Sequence, residues 1–202
     1  MPGSSHHRNR GGTSKAGWLI AAATLAFLWS GAAMAAEARV LLLRGWFGVF
    51  STGMDSLAQQ LRARGVNAQA VGHLTFRAQA DRIIRDRAAG KVGRIVLVGH
   101  SQGANNVIEM ARMLERYNIQ VDLLVTLAPF MQDPIPANVV RALNYYQEPG
   151  WGAPLSGDAG FHGRLSNIDL AGDASVSHIT IDKSDRVQND LLREIYAVAR
   201  AR

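Results

Sequence analysis

Apolar and polar positions fall in blocks along this chain, and the period changes from block to block. Arg39–Arg44 (RVLLLR) is a short, nearly continuous apolar run, the pattern of a strand buried on both faces. Residues 53–64 then set Met54, Leu57, Ala58 and Leu61 at helical spacing, with Gly65 where a helix would stop. Val66–Val71 predicts a second strand, and residues 75–89 a highly charged helix ending at Gly90. Arg94–Val98 (RIVLV) is the clearest strand of all, followed by a helix whose one face carries Ala104, Val107, Ile108, Ala111 and Leu114. Val121–Leu127 and Val139–Gln147 predict two more strands and Arg164–Leu170 a weaker one, while Val187, Leu191, Ile195 and Val198 line a closing helix. Strands that alternate with helices imply right-handed βαβ units. The expected class is α/β: a single domain with a mostly parallel sheet and helices on both faces. One irregular stretch, Glu148–Gly163, exceeds the usual loop length, and Trp151 and Phe161 within it favour an ordered loop.

The first 35 residues follow a different rule. Residues 1–15 are polar, basic and free of acids, an apolar stretch runs from Ala16 to about Leu28, and the small-residue tract Ala32-Ala33-Met34-Ala35-Ala36 follows. A charged start, an apolar middle and an A-x-A site form a secretory signal, with cleavage expected after Ala35. The alternative is an uncleaved anchor, but Ser30-Gly31 interrupts the alanine-rich stretch before it could span a bilayer well. The domain is therefore expected over residues 36–202, without a stable membrane span, in a protein exported to a bacterial periplasm or secreted. His6 and His7 lie in the leader and are not read as ligands.

Composition narrows the chemistry. Of 202 residues, 48% are hydrophobic and 19% charged, too apolar for a disordered chain and enough for one buried core. The absence of cysteine excludes disulfides, thiolate nucleophiles and cysteine-held metal centres. The net charge of +6 falls to +3 once Arg8, Arg10 and Lys15 are set aside, since no acidic residue precedes Glu37. That is ordinary for a soluble domain, so no nucleic-acid partner is expected. Asp81, Arg82, Arg85, Asp86 and Arg87 read as a solvated mixed-charge helix face. No nucleotide-binding glycine pattern follows the first strand and no H-E-x-x-H appears, so neither cofactor nor metal is expected.

Gly99-His100-Ser101-Gln102-Gly103 carries the chemistry. It is a G-x-S-x-G placed between the RIVLV strand and a predicted helix, the context in which that motif has meaning. A chain reversing from strand to helix in about one residue strains Ser101, leaves no room for side chains two residues either side, and exposes the hydroxyl at the sheet edge. Free N–H groups at the start of the following helix point to the same place. A serine hydroxyl needs an adjacent base, and outside the leader the histidines are His73, His100, His162 and His178. His100 lies within the turn, with its side chain expected to point away. His73 precedes the nucleophile, and His162 follows Phe161 in the long loop.

The motif, its setting and the element order resemble the α/β-hydrolase family over most of residues 38–202, in particular its small, lidless lipase- or cutinase-like esterases. The resemblance implies an oxyanion loop after the first strand here, at Arg44-Gly45-Trp46-Phe47-Gly48, whose backbone N–H of Trp46 or Phe47 would pair with that of Gln102. Where the family commonly has His-Gly this chain has Arg44-Gly45, which matters little to a backbone donor; Gly45 and Gly48 could equally serve only to shape a turn. The family order of serine, acid, then histidine favours His178 as base over His162. For the orienting acid the position after Val139–Gln147 favours Glu148, with Asp158 later in the same loop and Asp133 one strand earlier as alternatives; Asp133 and Asp158 also suit turns beside Pro134 and Gly157. Trp46, Phe47 and Phe50 could wall an apolar substrate or belong to the core. Residues 128–138, between two strands, leave no room for a lid domain. The function implied is a serine hydrolase cleaving small-molecule or lipid-like carboxylic esters through Ser101, His178 and Glu148. A thioesterase or acyltransferase using the same residues, or a non-catalytic binding protein of this fold, are the other readings.

Overall fold

The computed structural model describes residues 36–46 and 48–201, together with Met1 and Gly3; the expected leader and the backbone of Phe47 lie outside the described residues. The apolar runs form the strands β1 (Glu37–Arg44), β2 (Ala68–Gly72), β3 (Val92–His100), β4 (Leu123–Leu127), β5 (Arg141–Tyr146) and β6 (Arg164–Asp169). The periodic segments form the helices α1 (Thr52–Ala63), α2 (Phe76–Ala88), α3 (Gln102–Glu115) and α4 (Asp185–Arg200). All belong to one unit, Met34–Arg202. Boundaries shift where capping takes over: the Val66 N–H bonds back to Leu61 at 3.0 Å, closing α1, so β2 starts later than its sequence run.

The strands pair in the order β2-β1-β3-β4-β5-β6, each parallel to its neighbours. Because successive side chains alternate across a sheet, one continuous apolar run feeds two cores. On one face Val40, Leu42, Val98, Val125 and Leu143 meet Met54, Leu57 and Leu61 of α1 and Val187, Leu191 and Ile195 of α4. On the other, Leu41, Leu43, Leu97, Leu124 and Ala142 meet Ile83 of α2 and Val107, Met110 and Leu114 of α3. The expected class, a mostly parallel sheet covered on both faces, is the one observed. No helix among the described residues is long and apolar enough to cross a membrane.

This order also fixes where a site can form. From β1 the chain crosses to β2 on one side, then returns past β1 to β3 on the other. With right-handed crossovers, α1 must then lie on one face and α2 and α3 on the opposite one, as their cores show. Between the carboxyl ends of β1 and β3 the direction of winding reverses, opening a crevice at the sheet edge. Leu43 is in register with Gly99, and His100 with Leu127. The chain leaving β1 at Gly45, β3 at Ser101 and β4 at Ala128 therefore emerges at that same edge.

Candidate active site

Steric packing dictates the turn between β3 and α3. Ser101 has φ 57° and ψ −125°, a left-handed conformation costing a non-glycine residue about 1–3 kcal/mol. A Cβ on Gly99 would collide with the Gly103 carbonyl, and one on Gly103 would collide with the Leu43 carbonyl and lie 2.8 Å from that of Arg44. The two glycines thus let β3, α3 and β1 close up, and the only outlet is the strained serine. Its N–H is tied to Leu127 at 2.9 Å, fixing the turn to β4. Gln102 opens α3, where an N–H has no intrahelical acceptor.

The segment after β1 leans on this turn. A Cβ on Gly45 would come within 2.9 Å of the Ser101 Cβ and 3.4 Å of its Oγ, so the glycine is required by contact with the serine as well as by the turn. Gly48, at φ 65°, donates to the Gly45 carbonyl at 3.3 Å, and Ser51 donates to that of Gly48 at 3.2 Å. Arg44 closes the base of the turn on Asp55 with two bonds, 2.8 and 2.6 Å. Trp46 follows Gly45 directly, with its ring stacked on Phe130, centroids 6.3 Å apart.

His178 reaches the same point from the segment before α4. Its Nε2 is 2.9 Å from the Ser101 Oγ, and Trp151 covers its ring at 4.2 Å between centroids. Burial, and then the neighbouring His100, push its pKa down to about 4, so the imidazole is neutral through the neutral range. For Nε2 to accept the serine proton, the ring hydrogen must sit on Nδ1. That Nδ1 is buried and has no hydrogen-bond partner among the described residues.

The acid expected at Glu148 is therefore not in place. Glu148 is exposed, beside Asp169, whose carboxylate accepts the Glu148 N–H at 3.4 Å. Asp133 accepts from the Asn105 amide at 2.7 Å, and Asp158 accepts from the Gly160 N–H at 3.0 Å, in the turn its sequence also suggested. None of the three is bonded to the His178 Nδ1. His162 is exposed. His73 supports the segment after β1 instead, with Nδ1 3.2 Å from the Gly45 carbonyl. His100 also differs from expectation: its ring turns toward the site, 5.2 Å from that of His178 and buried beneath the cleft. Burial pushes its pKa down, only partly offset by the attraction of Asp182.

Ser101, His178, Gly45 and Gln102 open into an apolar cleft of about 340 Å³ walled by Trp46, Phe50, Phe130, Trp151 and Ile179. Trp46 and Phe50 thus serve as walls rather than core. Phe130 and Trp151 carry no signature of this role in the sequence, because distant polar residues hold the segments on which they lie. Asn105 on α3 accepts the N–H groups of Phe130 and Met131 at 2.9 and 3.1 Å. Across β5 and β6, Asn144 and Asn167 hold the long loop through Ala153 at 2.9 Å and Leu155 at 2.8 and 3.0 Å. The available signal was a set of asparagines inside predicted elements, Asn105 in α3, Asn144 in β5 and Asn167 in β6, of which Asn105 and Asn144 are buried. Among the described residues no three His, Asp or Glu side chains gather as metal ligands.

No family model and no curated protein matches this chain. Among solved structures it is similar to the type II thioesterase BorB of the borrelidin biosynthetic cluster, at 15% identity over 81% of this chain and 93% of that one, TM-score 0.53. A covalent complex of the NocB thioesterase domain with a fluorophosphonate nocardicin G analogue matches at 13% identity over 81% and 95%, TM-score 0.53. The RedJ thioesterase of Streptomyces coelicolor, from its prodiginine biosynthetic pathway, matches at 12% identity over 81% and 91%, TM-score 0.52. At such identities the likeness speaks to architecture, and together with the parallel sheet order and the strand–serine–helix turn it gives this chain the α/β-hydrolase fold.

Proposed function

We propose that this protein is a serine hydrolase that cleaves carboxylic esters of apolar acyl groups. The observation that carries the reading is the 2.9 Å approach of Ser101 Oγ to His178 Nε2 at a strained turn inside an apolar cleft. Ser101 attacks the ester carbonyl while His178 takes its proton. The Gln102 and Trp46 N–H groups receive the oxyanion, a contribution on the order of 10²–10³ in rate per donor. As the tetrahedral adduct collapses, the ester C–O bond breaks and the alcohol leaves with the proton from His178. Water, deprotonated by the same imidazole, then releases the acid and restores Ser101. Residues 128–140 join β4 to β5 without an inserted lid, which supports an open site like that of small esterases. The basic leader supports export.

Ser101→Ala is expected to abolish hydrolysis of p-nitrophenyl butyrate without changing the circular dichroism spectrum; retained turnover would reject the assignment. Thioesters are the second class of substrate, favoured by the thioesterase neighbours. Parallel assays with butyryl oxoester and butyryl thioester of the same leaving bulk decide between them. A non-catalytic binding protein would leave Ser101 inert to a fluorophosphonate probe.

A further inference from the structure

The residue before the nucleophile makes a set of bonds that G-x-S-x-G does not require. His100 ends β3, is 1% exposed, and has Nε2 2.7 Å from the carbonyl oxygen of His178. A carbonyl only accepts, so Nε2 carries hydrogen, and in the neutral ring Nδ1 is bare. Nδ1 lies 2.8 Å from Ser51 Oγ and so accepts that hydroxyl, while the same oxygen accepts the Gly45 N–H at 3.0 Å. Every direction in the chain is thereby set: Gly45 N–H to Ser51, Ser51 O–H to His100, and His100 N–H to the His178 carbonyl. It joins the segment carrying Trp46 to the segment carrying His178, through the residue adjacent to Ser101.

We propose that His100, backed by Ser51, is the positioning residue of this site, aligning the oxyanion segment and the base on Ser101 through main-chain anchors. The inference rests on the hydrolase reading above. Ordinarily a carboxylate on the imidazole Nδ1 holds a base in register. In this site the His178 Nδ1 has no partner among the described residues, and the His178 ring is held by its own backbone and by the face of Trp151. A displacement of about 1 Å between such groups can cost 10²-fold in rate.

The test compares wild type with His100→Asn, His100→Gln and Ser51→Ala on p-nitrophenyl butyrate, with competent sites counted by fluorophosphonate labelling. A glutamine amide reaches the place of Nε2 and can still donate to the His178 carbonyl; asparagine is too short to do so. Per labelled site, kcat is expected to fall about 10²-fold in His100→Asn with KM within roughly twofold, and to recover at least tenfold in His100→Gln. Ser51→Ala is expected to fall about tenfold. Equal kcat per labelled site in the two His100 variants, or wild-type kcat in His100→Asn, overturns the role, because a merely structural histidine would change only the number of folded sites. Ser51→Ala reads the same chain independently should a His100 variant fail to fold: wild-type kcat there overturns it too. A wild type that neither labels nor hydrolyses removes the hydrolase reading and this role together; an active wild type with insensitive variants removes this role alone.

Discussion

The turn at Ser101 and the segment at His178 meet within 2.9 Å, yet they are built on different principles. Around Ser101 three backbones touch and only glycine fits at positions 99 and 103, so close backbone packing fixes the hydroxyl. Around His178 nothing local compels the geometry. The segment is a run of turns, with Ile181 and Thr180 bonded back to Ser177 at 2.9 and 3.1 Å, and its aim depends on Trp151, His100 and Asp182. A nucleophile can thus be set by excluded volume, whereas a base without an orienting carboxylate is set by long-range packing. The first should tolerate no added atom, and the second should yield in graded steps.

The most severe test of this contrast is Gly103→Ala, whose methyl would enter the Leu43 carbonyl. It is expected to cost about 3 kcal/mol or more, read as a lowered midpoint in urea. A neutral result would mean that the turn is not sterically closed. A graded effect is expected from Trp151→Ala, which strips the face from His178: kcat/KM should fall roughly tenfold with the fold intact, since such ring contacts contribute about 0.5–1.5 kcal/mol.

Acid titration probes the base more gently. With the folded His178 pKa down at about 4 against 6.5 when free, kcat/KM should hold as pH falls through 6 and drop only near 4. The sign for stability follows from the same shift. Between those values the unfolded chain binds a proton that the folded one refuses, so the melting temperature should decline as pH falls from about 6.5 toward 4. His100, also shifted down, adds in the same direction. Smallest of all is Glu148→Gln, expected to leave kcat/KM within about threefold. A loss near the 10⁴-fold that follows removal of a working triad acid would put that carboxylate back in the site.

What could be read from the sequence divides along the same line. Strands such as RVLLLR and RIVLV, the helix faces and the Ser101 turn are local patterns, and their places in the sheet follow from the handedness of crossovers. His178 could be picked out only through the family order of serine, acid, then histidine that the resemblance implies. The acid could not, since Glu148, Asp133 and Asp158 sit in connections whose direction only tertiary contacts decide. Nor could the bond from His100 to the His178 carbonyl, which spans 78 residues of chain and leaves no periodic trace. Trp151 was visible as an aromatic in an ordered loop, but not as a cover for an imidazole.

The Asp182 carboxylate is fully buried and accepts the Gly53 N–H, near the start of α1, at 2.8 Å, while Gln188 of α4 donates to the Gly53 carbonyl at 3.0 Å and also bonds the Asp182 carbonyl. The opening of the first helix and the approach to the last are thus riveted together directly behind the cleft. Amide protons near Gly53 and near Asp182, far apart in sequence, should therefore exchange with solvent in one cooperative opening, so that the start of α1 and the approach to α4 loosen as a unit or not at all.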